Sequence, residues 1–237
     1  MMTEFKIKLA GITIGIKSLY TDVFEMCGDY ICEDECEADF CVVSSKEGIR
    51  RERAKANQND DPSDAYLETL AVYRGIAEKM PEYSAFLMHG SVVADKEAAY
   101  MFAAVSGVGK TTRTNKWIEQ IEDSFVVNGD KPLIKIADGR AYACGTPWCG
   151  KEKQNTNIMM PLRAVIFLER AEEIGIRKIT FAEAFVSALR QIYRPQNSGQ
   201  MAKTLELIKS LDQKVGFYKY YINLDDMDMR RIYEAVK

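Results

Sequence analysis

The nine residues Ala104-Val105-Ser106-Gly107-Val108-Gly109-Lys110-Thr111-Thr112 decide how this chain is read. An apolar run, residues 100–105, leads into them, and a helix-compatible run, residues 112–121, leads out. Strand, glycine-rich turn, lysine, hydroxyl and helix in that order read as a phosphate-binding loop. Small residues let backbone N–H groups turn inward around a polyphosphate, and the helix start adds the positive end of its dipole. The usual pattern is G-x-x-x-x-G-K-[ST], and Ala104 stands where its first glycine belongs. Alanine serves there if its φ stays negative.

The neighbouring segments set the sheet. Strand candidates 85–93 and 98–105 are separated only by Ala94-Asp95-Lys96-Glu97. So short a connection makes a hairpin, because parallel neighbours need a crossover of about a dozen residues or more. Residues 125–127 are short and apolar, 133–136 and 141–144 flank the hairpin signal Asp138-Gly139, and 163–168 (RAVIFL) reads as a buried strand. The expected fold is therefore α/β, a mixed, largely antiparallel-flanked sheet with a P-loop and helices.

Farther out, residues 5–16 read as strand–turn–strand with Gly11 at the turn, and 19–45 as further short strands ending in 40–43. Residues 46–60 are polar, a loop or a solvated helix. Asp61 as N-cap, Pro62 and Asp64 open a helix whose buried face is Tyr66, Leu70, Tyr73, Ala77 and Met80, stopped by Pro81. Thr180 and Glu183 form a capping box for a helix to about 193. A helix over 200–213, a strand over 218–222 and a terminal helix over 225–236 follow. The whole, 1–237, is expected to be one domain, with 1–80 as N-terminal strands and helix and 85–237 as the P-loop core.

With 237 residues, 47% of them hydrophobic, the chain can bury one substantial core. A net charge of −3 carries no footprint for bulk nucleic-acid binding. No apolar run reaches the length of a membrane span, and the N-terminus alternates like a strand rather than a signal peptide. The expectation is a cytoplasmic protein, with neither nucleic acid nor membrane as partner. Cys27, Cys32, Cys36 and Cys41 lack a C-x₂-C knuckle and sit among acids, so they read as reduced thiols rather than a zinc site. Cys144 and Cys149 flank a turn and read as structural.

Three landmarks carry a resemblance over residues 87–150. They are His89-Gly90 before the loop strand, the loop SGVGKTT, and Asn128-Gly129-Asp130-Lys131 followed by Gly145-Thr146-Pro147-Trp148 and Gly150. Together they resemble the catalytic domain of HPr kinase/phosphorylase and its relatives in the phosphoenolpyruvate-carboxykinase-like group, among them the small kinases beside lasso-peptide clusters and the free-serine kinases. The resemblance implies a kinase that moves the γ-phosphate of ATP, or of a related donor, to a hydroxyl on a peptide, a protein or a small molecule. It implies Mg²⁺ as well. The family motif has two adjacent aspartates, and Gly129 stands in place of the first, so Asp130 inherits metal holding, base catalysis or both.

Ser106, Gly107, Val108, Gly109, Lys110, Thr111 and Thr112 are then the nucleotide-binding residues. Lys110 reaches the β- and γ-phosphates, and Thr111 and Asp130 face the metal. Asp130, His89 and Lys110 are the catalytic set; His89 matches the family's active-site histidine as proton relay or phosphate contact, or else is structural. Trp148, Arg163 and Arg194 are candidates for substrate contacts, and Arg113 and Arg170 for phosphate or solvent. Two alternatives stay open: a P-loop NTPase using Glu169 after strand 163–168, and a nucleotide-binding regulator without turnover. A homo-oligomeric state stays open too.

Overall fold

The structure, a computed structural model, describes residues 2–32, 37–56, 61–223 and 228–237. β1 (Thr3–Leu9) and β2 (Ile12–Ser18) form an antiparallel hairpin. Its tip, Ala10-Gly11, has φ of 52° and 79°, the left-handed pair that a tight hairpin turn requires. α1 (Asp22–Cys27) follows, where strands were expected. Val23 and Cys27, four apart, are its buried contacts, too short a stretch to reveal a helical period. β3 (Phe40–Val43) lies parallel to β2, and α2 (Lys46–Arg53) occupies part of the polar run. Cys36 and the rest of that run, 57–60, lie outside the described residues.

α3 (Asp64–Lys79) starts two residues later than expected, with Ser63 as N-cap accepting from Tyr66 N at 3.1 Å. Its buried face is Leu67, Glu68, Thr69, Val72, Tyr73, Ile76 and Ala77, while Tyr66 is exposed. The face is displaced because Glu68 points inward. It is fully buried and accepts from Leu19 N at 2.6 Å and Tyr20 N at 2.8 Å. A carboxylate on the inner side hides the apolar period from the sequence.

The expected strand 85–93 is two strands, β4 (Ala85–Leu87) and β5 (Ser91–Ala94). Between them Gly90 presses against the next strand; a Cβ there would lie 2.4 Å from Met101 Cε and 2.8 Å from Phe102 O. Then come β6 (Ala99–Ala103), α4 (Lys110–Gln120), β7 (Phe125–Asn128), β8 (Leu133–Ala137) and β9 (Arg140–Cys144). β10 (Met159–Arg170) exceeds its apolar centre at both ends, and β11 (Gly175–Ile179) has no counterpart in the sequence reading. α5 (Phe181–Gln191) carries the capping box of Thr180 and Glu183, followed by α6 (Ser198–Lys209), β12 (Gly216–Ile222) and α7 (Met229–Val236). Residues 225–227 of the expected terminal helix lie outside the described residues.

The strands run β11-β12-β10-β6-β5-β7. β12, β10 and β6 are parallel; β5 returns antiparallel on β6, and β7 is antiparallel to β5. The start of β10 pairs instead with β9, joining the antiparallel set β4-β8-β9. The sheet is thus mixed, with the hairpins where the short connections required them. Alternation divides the core: Ala99, Met101 and Ala103 of β6 face the layer with α5 and α6, and Tyr100, Phe102 and Ala104 face the layer with α4 and α7. A third cluster joins β1, β2 and α3 to Ala85, Leu87, Leu133 and Trp148.

The β5–β6 connection is held by Asp95. Its carboxylate accepts from Glu97 N at 2.7 Å, Ala98 N at 2.8 Å, Tyr100 OH at 3.1 Å and Tyr233 OH at 3.0 Å. Replacing it by alanine strands two amides and two phenols, of which those of Ala98 and Tyr100 belong to buried residues. Chemical denaturation of Asp95→Ala is expected to read a loss of about 2–4 kcal/mol.

Candidate active site

β6 ends at Ala103 in the interior of the sheet, and α4 begins at Lys110. The turn between them uses Gly107 at φ 80° and Gly109 at φ 120°, backbone that L side chains resist. Ala104 is not among the positive-φ residues, which is why alanine serves at the loop's first position. Gly109 caps α4, and Arg113 N donates to Gly109 O at 3.2 Å. The N–H groups ahead of Arg113 in the first turn have no intrahelical acceptor, so the loop presents donors at the positive end of a helix dipole.

The helix bearing these amides is fixed to the sheet. Trp117 is fully buried against the rings of Tyr100, Phe102 and Tyr233, with centroids 5.1, 5.6 and 5.5 Å away. Buried Thr114 shares a 2.7 Å hydroxyl hydrogen bond with Ser91 of β5. Lys110 Nζ folds back and donates to Ala104 O at 2.9 Å. Burial lowers the pKa of its ammonium, with the negative charge of Asp130 acting in the opposite direction. Thr111 and Thr112 are exposed at the mouth.

Asp130 follows β7, and His89 precedes β5, the strand between β7 and β6. Asn128, fully buried, shapes the turn. Its Oδ1 accepts from Asp130 N at 2.9 Å and Lys131 N at 2.7 Å, and its Nδ2 donates to Thr146 O at 2.9 Å. Gly90 N donates to Asp130 O at 2.9 Å, so the two segments are stitched together. The side chains then meet: His89 Nε2 lies 2.9 Å from Asp130 Oδ1, and Lys131 Nζ lies 2.6 Å from Oδ2. Burial pushes the Asp130 carboxyl up, but His89 and Lys131 outweigh it and hold it at about 2. On the far side of the imidazole, Nδ1 is 3.2 Å from Gln191 Oε1, and His89 N donates to Gln191 O at 2.6 Å. With Nε2–H on Asp130, Nδ1 accepts from the amide in its turned-over orientation or donates as imidazolium.

Gly129 stands where a side chain would meet backbone. A Cβ on Gly129 would lie 2.7 Å from the backbone oxygen of Cys149, and one on Gly150 would lie 3.2 Å from Asp130 Cβ. The segment 145–150 closes over this turn and leaves room for one acid.

Trp148 does not line an open cleft. It is buried against Tyr73, centroids 5.4 Å apart, and its indole N–H donates to Thr69 O at 3.0 Å. Arg163 is displaced as well: it lies at the start of the β10–β6 ladder, 3.9 Å from Glu97, whereas the loop leaves the other end of β6. Arg194, three residues beyond α5, is exposed and donates to Leu189 O of that helix at 3.2 Å. These three are packing or surface residues. Arg113 and Arg170 are the arginines beside the loop: buried Arg113 donates to Asn223 O at 2.7 Å, and Arg170 donates to Gly107 O at 2.7 Å. Gln191 and the pairing role of Lys131 escaped the sequence reading. Gln191 lies 102 residues from His89, and only the docking of α5 joins them.

Among the described residues no three His, Cys, Asp or Glu side chains converge on a metal position. Thr111 and Asp130 carry oxygen donors of the kind Mg²⁺ prefers, and the two Asp130 oxygens are engaged by His89 and Lys131. Among the described residues, no helix is long and apolar enough to cross a membrane.

No family model matches this chain, and no curated protein matches it. Among solved structures it is similar to the Hpr(Ser) kinase/phosphatase from Coxiella burnetii, at 9% identity, over 63% of this chain and 92% of that one, with a TM-score of 0.37. At so slight a likeness, the chemistry rests on this chain's own residues.

Gly129→Ala is expected to lower stability by about 1–3 kcal/mol, because backbone rather than a flexible side chain must give way. A thermal melt checks it. The Asp130 carboxyl, lowered from 3.8 to about 2, stabilises the fold above its ordinary pKa and loses that contribution as pH falls toward 2. Denaturation across pH is expected to show the gap between the wild type and Asp130→Asn widest above about pH 4 and closing below it.

Proposed function

We propose that the protein is a kinase, transferring the terminal phosphoryl group of ATP or a related donor to the hydroxyl of a peptide, a protein or a small molecule. The observation that supports this most is the pairing of Asp130 with His89 at 2.9 Å, carried by β7 and β5 on one side of the strand that feeds the glycine loop. Phosphoryl transfer asks a protein for positioning and charge neutralisation more than for covalent chemistry. Amides 107–112 and Lys110 hold the phosphates, Lys110 exchanging the Ala104 carbonyl for phosphate oxygen. Thr111 and Asp130 would hold Mg²⁺, which neutralises charge on the phosphate oxygens when bound.

Asp130 takes the acceptor's hydroxyl proton. With a pKa of about 2 it is a weak base, which suits a loose transition state in which that proton leaves late. His89 fixes the carboxylate's orientation, and Lys131 compensates its charge. The NTPase alternative has less support, since Glu169 is exposed and paired with Lys219 at 3.0 Å.

Calorimetry with Mg·ATP and phosphate-transfer assays over hydroxyl acceptors separate these roles. Lys110→Ala is expected to abolish nucleotide binding. Asp130→Asn is expected to keep binding and to lose about 10²-fold or more in transfer. Silence of Asp130→Asn, with loss in Glu169→Gln, would hand the chemistry to the NTPase reading.

A further inference from the structure

The chain leaves α5 through the extended residue Ile192 and runs antiparallel to the segment that carries His89. We infer that Gln191 is a positioning residue for His89: its side-chain amide holds the imidazole at Nδ1, so that Nε2–H stays on Asp130. The inference rests on the kinase reading above, in which His89 orients the Asp130 carboxylate, and adds the group that orients His89.

Register carries the first step. His89 N donates to Gln191 O at 2.6 Å, Met88 pairs with Ile192, and Tyr193 N donates to Leu87 O at 2.9 Å. Each contact sets the same register, with 191 opposite 89. Side chains directly opposite on an antiparallel pair stand about 4.5–5.5 Å apart at Cβ, so backbone pairing delivers the side chain at 191 to the His89 ring. A slip of one residue would turn Gln191 to the other face. The anchors beyond it oppose a slip: Ile192 is buried in the core with Ala184 and Ala188, and Tyr193 OH and Gln196 N both donate to Glu78 Oε1 of α3, at 3.2 and 2.6 Å.

Chemistry carries the second step. Gln191 is buried, and a buried amide costs free energy unless it is hydrogen-bonded. The ring is its partner: Gln191 Oε1 lies 3.2 Å from His89 Nδ1, while Nε2 on the opposite side of the ring lies 2.9 Å from Asp130 Oδ1. The χ2 torsion of histidine is broad and roughly two-fold, so a ring held at Nε2 alone turns over and presents its other edge. Held at both nitrogens, it keeps one orientation. An amide suits that task because it carries an acceptor and a donor on one planar group, and so satisfies Nδ1 with or without a proton.

His89 is the only histidine in the chain, so nitrogen NMR of the full chain, labelled at histidine, reads this ring alone. In the wild type Nε2 is expected to give the signal of a nitrogen that keeps its proton. In Gln191→Leu it is expected to move to the intermediate position of a nitrogen that shares its proton with Nδ1. Transfer assays on the same variant are expected to show kcat about ten-fold lower with KM for Mg·ATP within about two-fold, since a positioning loss falls on the chemical step rather than on binding. A wild-type Nε2 that is unprotonated or already averaged overturns the inference, as does an unchanged ring signal or an unchanged kcat in a folded Gln191→Leu. If the wild type phosphorylates no hydroxyl acceptor, the kinase reading falls, and the ring signals alone decide whether Gln191 holds His89. A misfolded Gln191→Leu is recognised by its melt, and the wild-type Nε2 signal then decides.

Discussion

The antiparallel return of β5 on β6 is the constraint on which the site depends. Because four residues connect them, the strand before the loop runs back on its predecessor, and the segment preceding β5 must arrive beside the loop end of β6. His89 is delivered there by connectivity. β7 pairs with β5 in turn, so the turn after β7 arrives at the same place with Asp130. A parallel sheet would send both segments to its far end. The hairpin that makes this sheet mixed therefore also brings His89 and Asp130 together.

Close backbone contacts hold that arrangement. Gly90 lets the chain press on β6, Gly129 lets segment 145–150 close on the turn, and Asn128 binds both through one fully buried amide. Each contact is incompatible with a larger side chain, so the site's precision comes from residues that do no chemistry. The same packing limits the chemistry. One carboxylate fits at this turn, and the second positive neighbour it acquires is Lys131 rather than a second acid's metal.

Much of this was legible in the sequence, for local reasons. The loop, the Asp138-Gly139 hairpin and the Thr180 capping box are fixed by neighbours within a few positions, and they stand where those neighbours require. The helix α1, the short strand β11 and the inner face of α3 were not legible, because distant partners decide them. Glu68 turns inward for amides 48 and 49 residues away, and β11 exists by pairing with β12. At the site the same rule divides the residues. Lys110, Thr111, His89 and Asp130 carry motif signals, whereas Gln191 touches His89 only because α5 ends against β4. Trp148, a candidate for the pocket or for packing, is buried against Tyr73, and Arg163 lies at the opposite end of the β10–β6 ladder from the loop, placements that only the topology decides.

Asp130 illustrates why the site's state matters more than its inventory. Both of its oxygens already hold cations or hydrogen-bond donors, from His89 and Lys131, while Lys110 is satisfied by a carbonyl of its own loop. In the proposed reaction, phosphates seated on the loop would compete for both lysines: Lys110 would exchange Ala104 O for phosphate oxygen, and Lys131 would be drawn from the Asp130 carboxylate it now holds. Such an exchange needs no movement of the backbone, only of two lysine side chains, whose ends reorient at little cost compared with the strands that carry them.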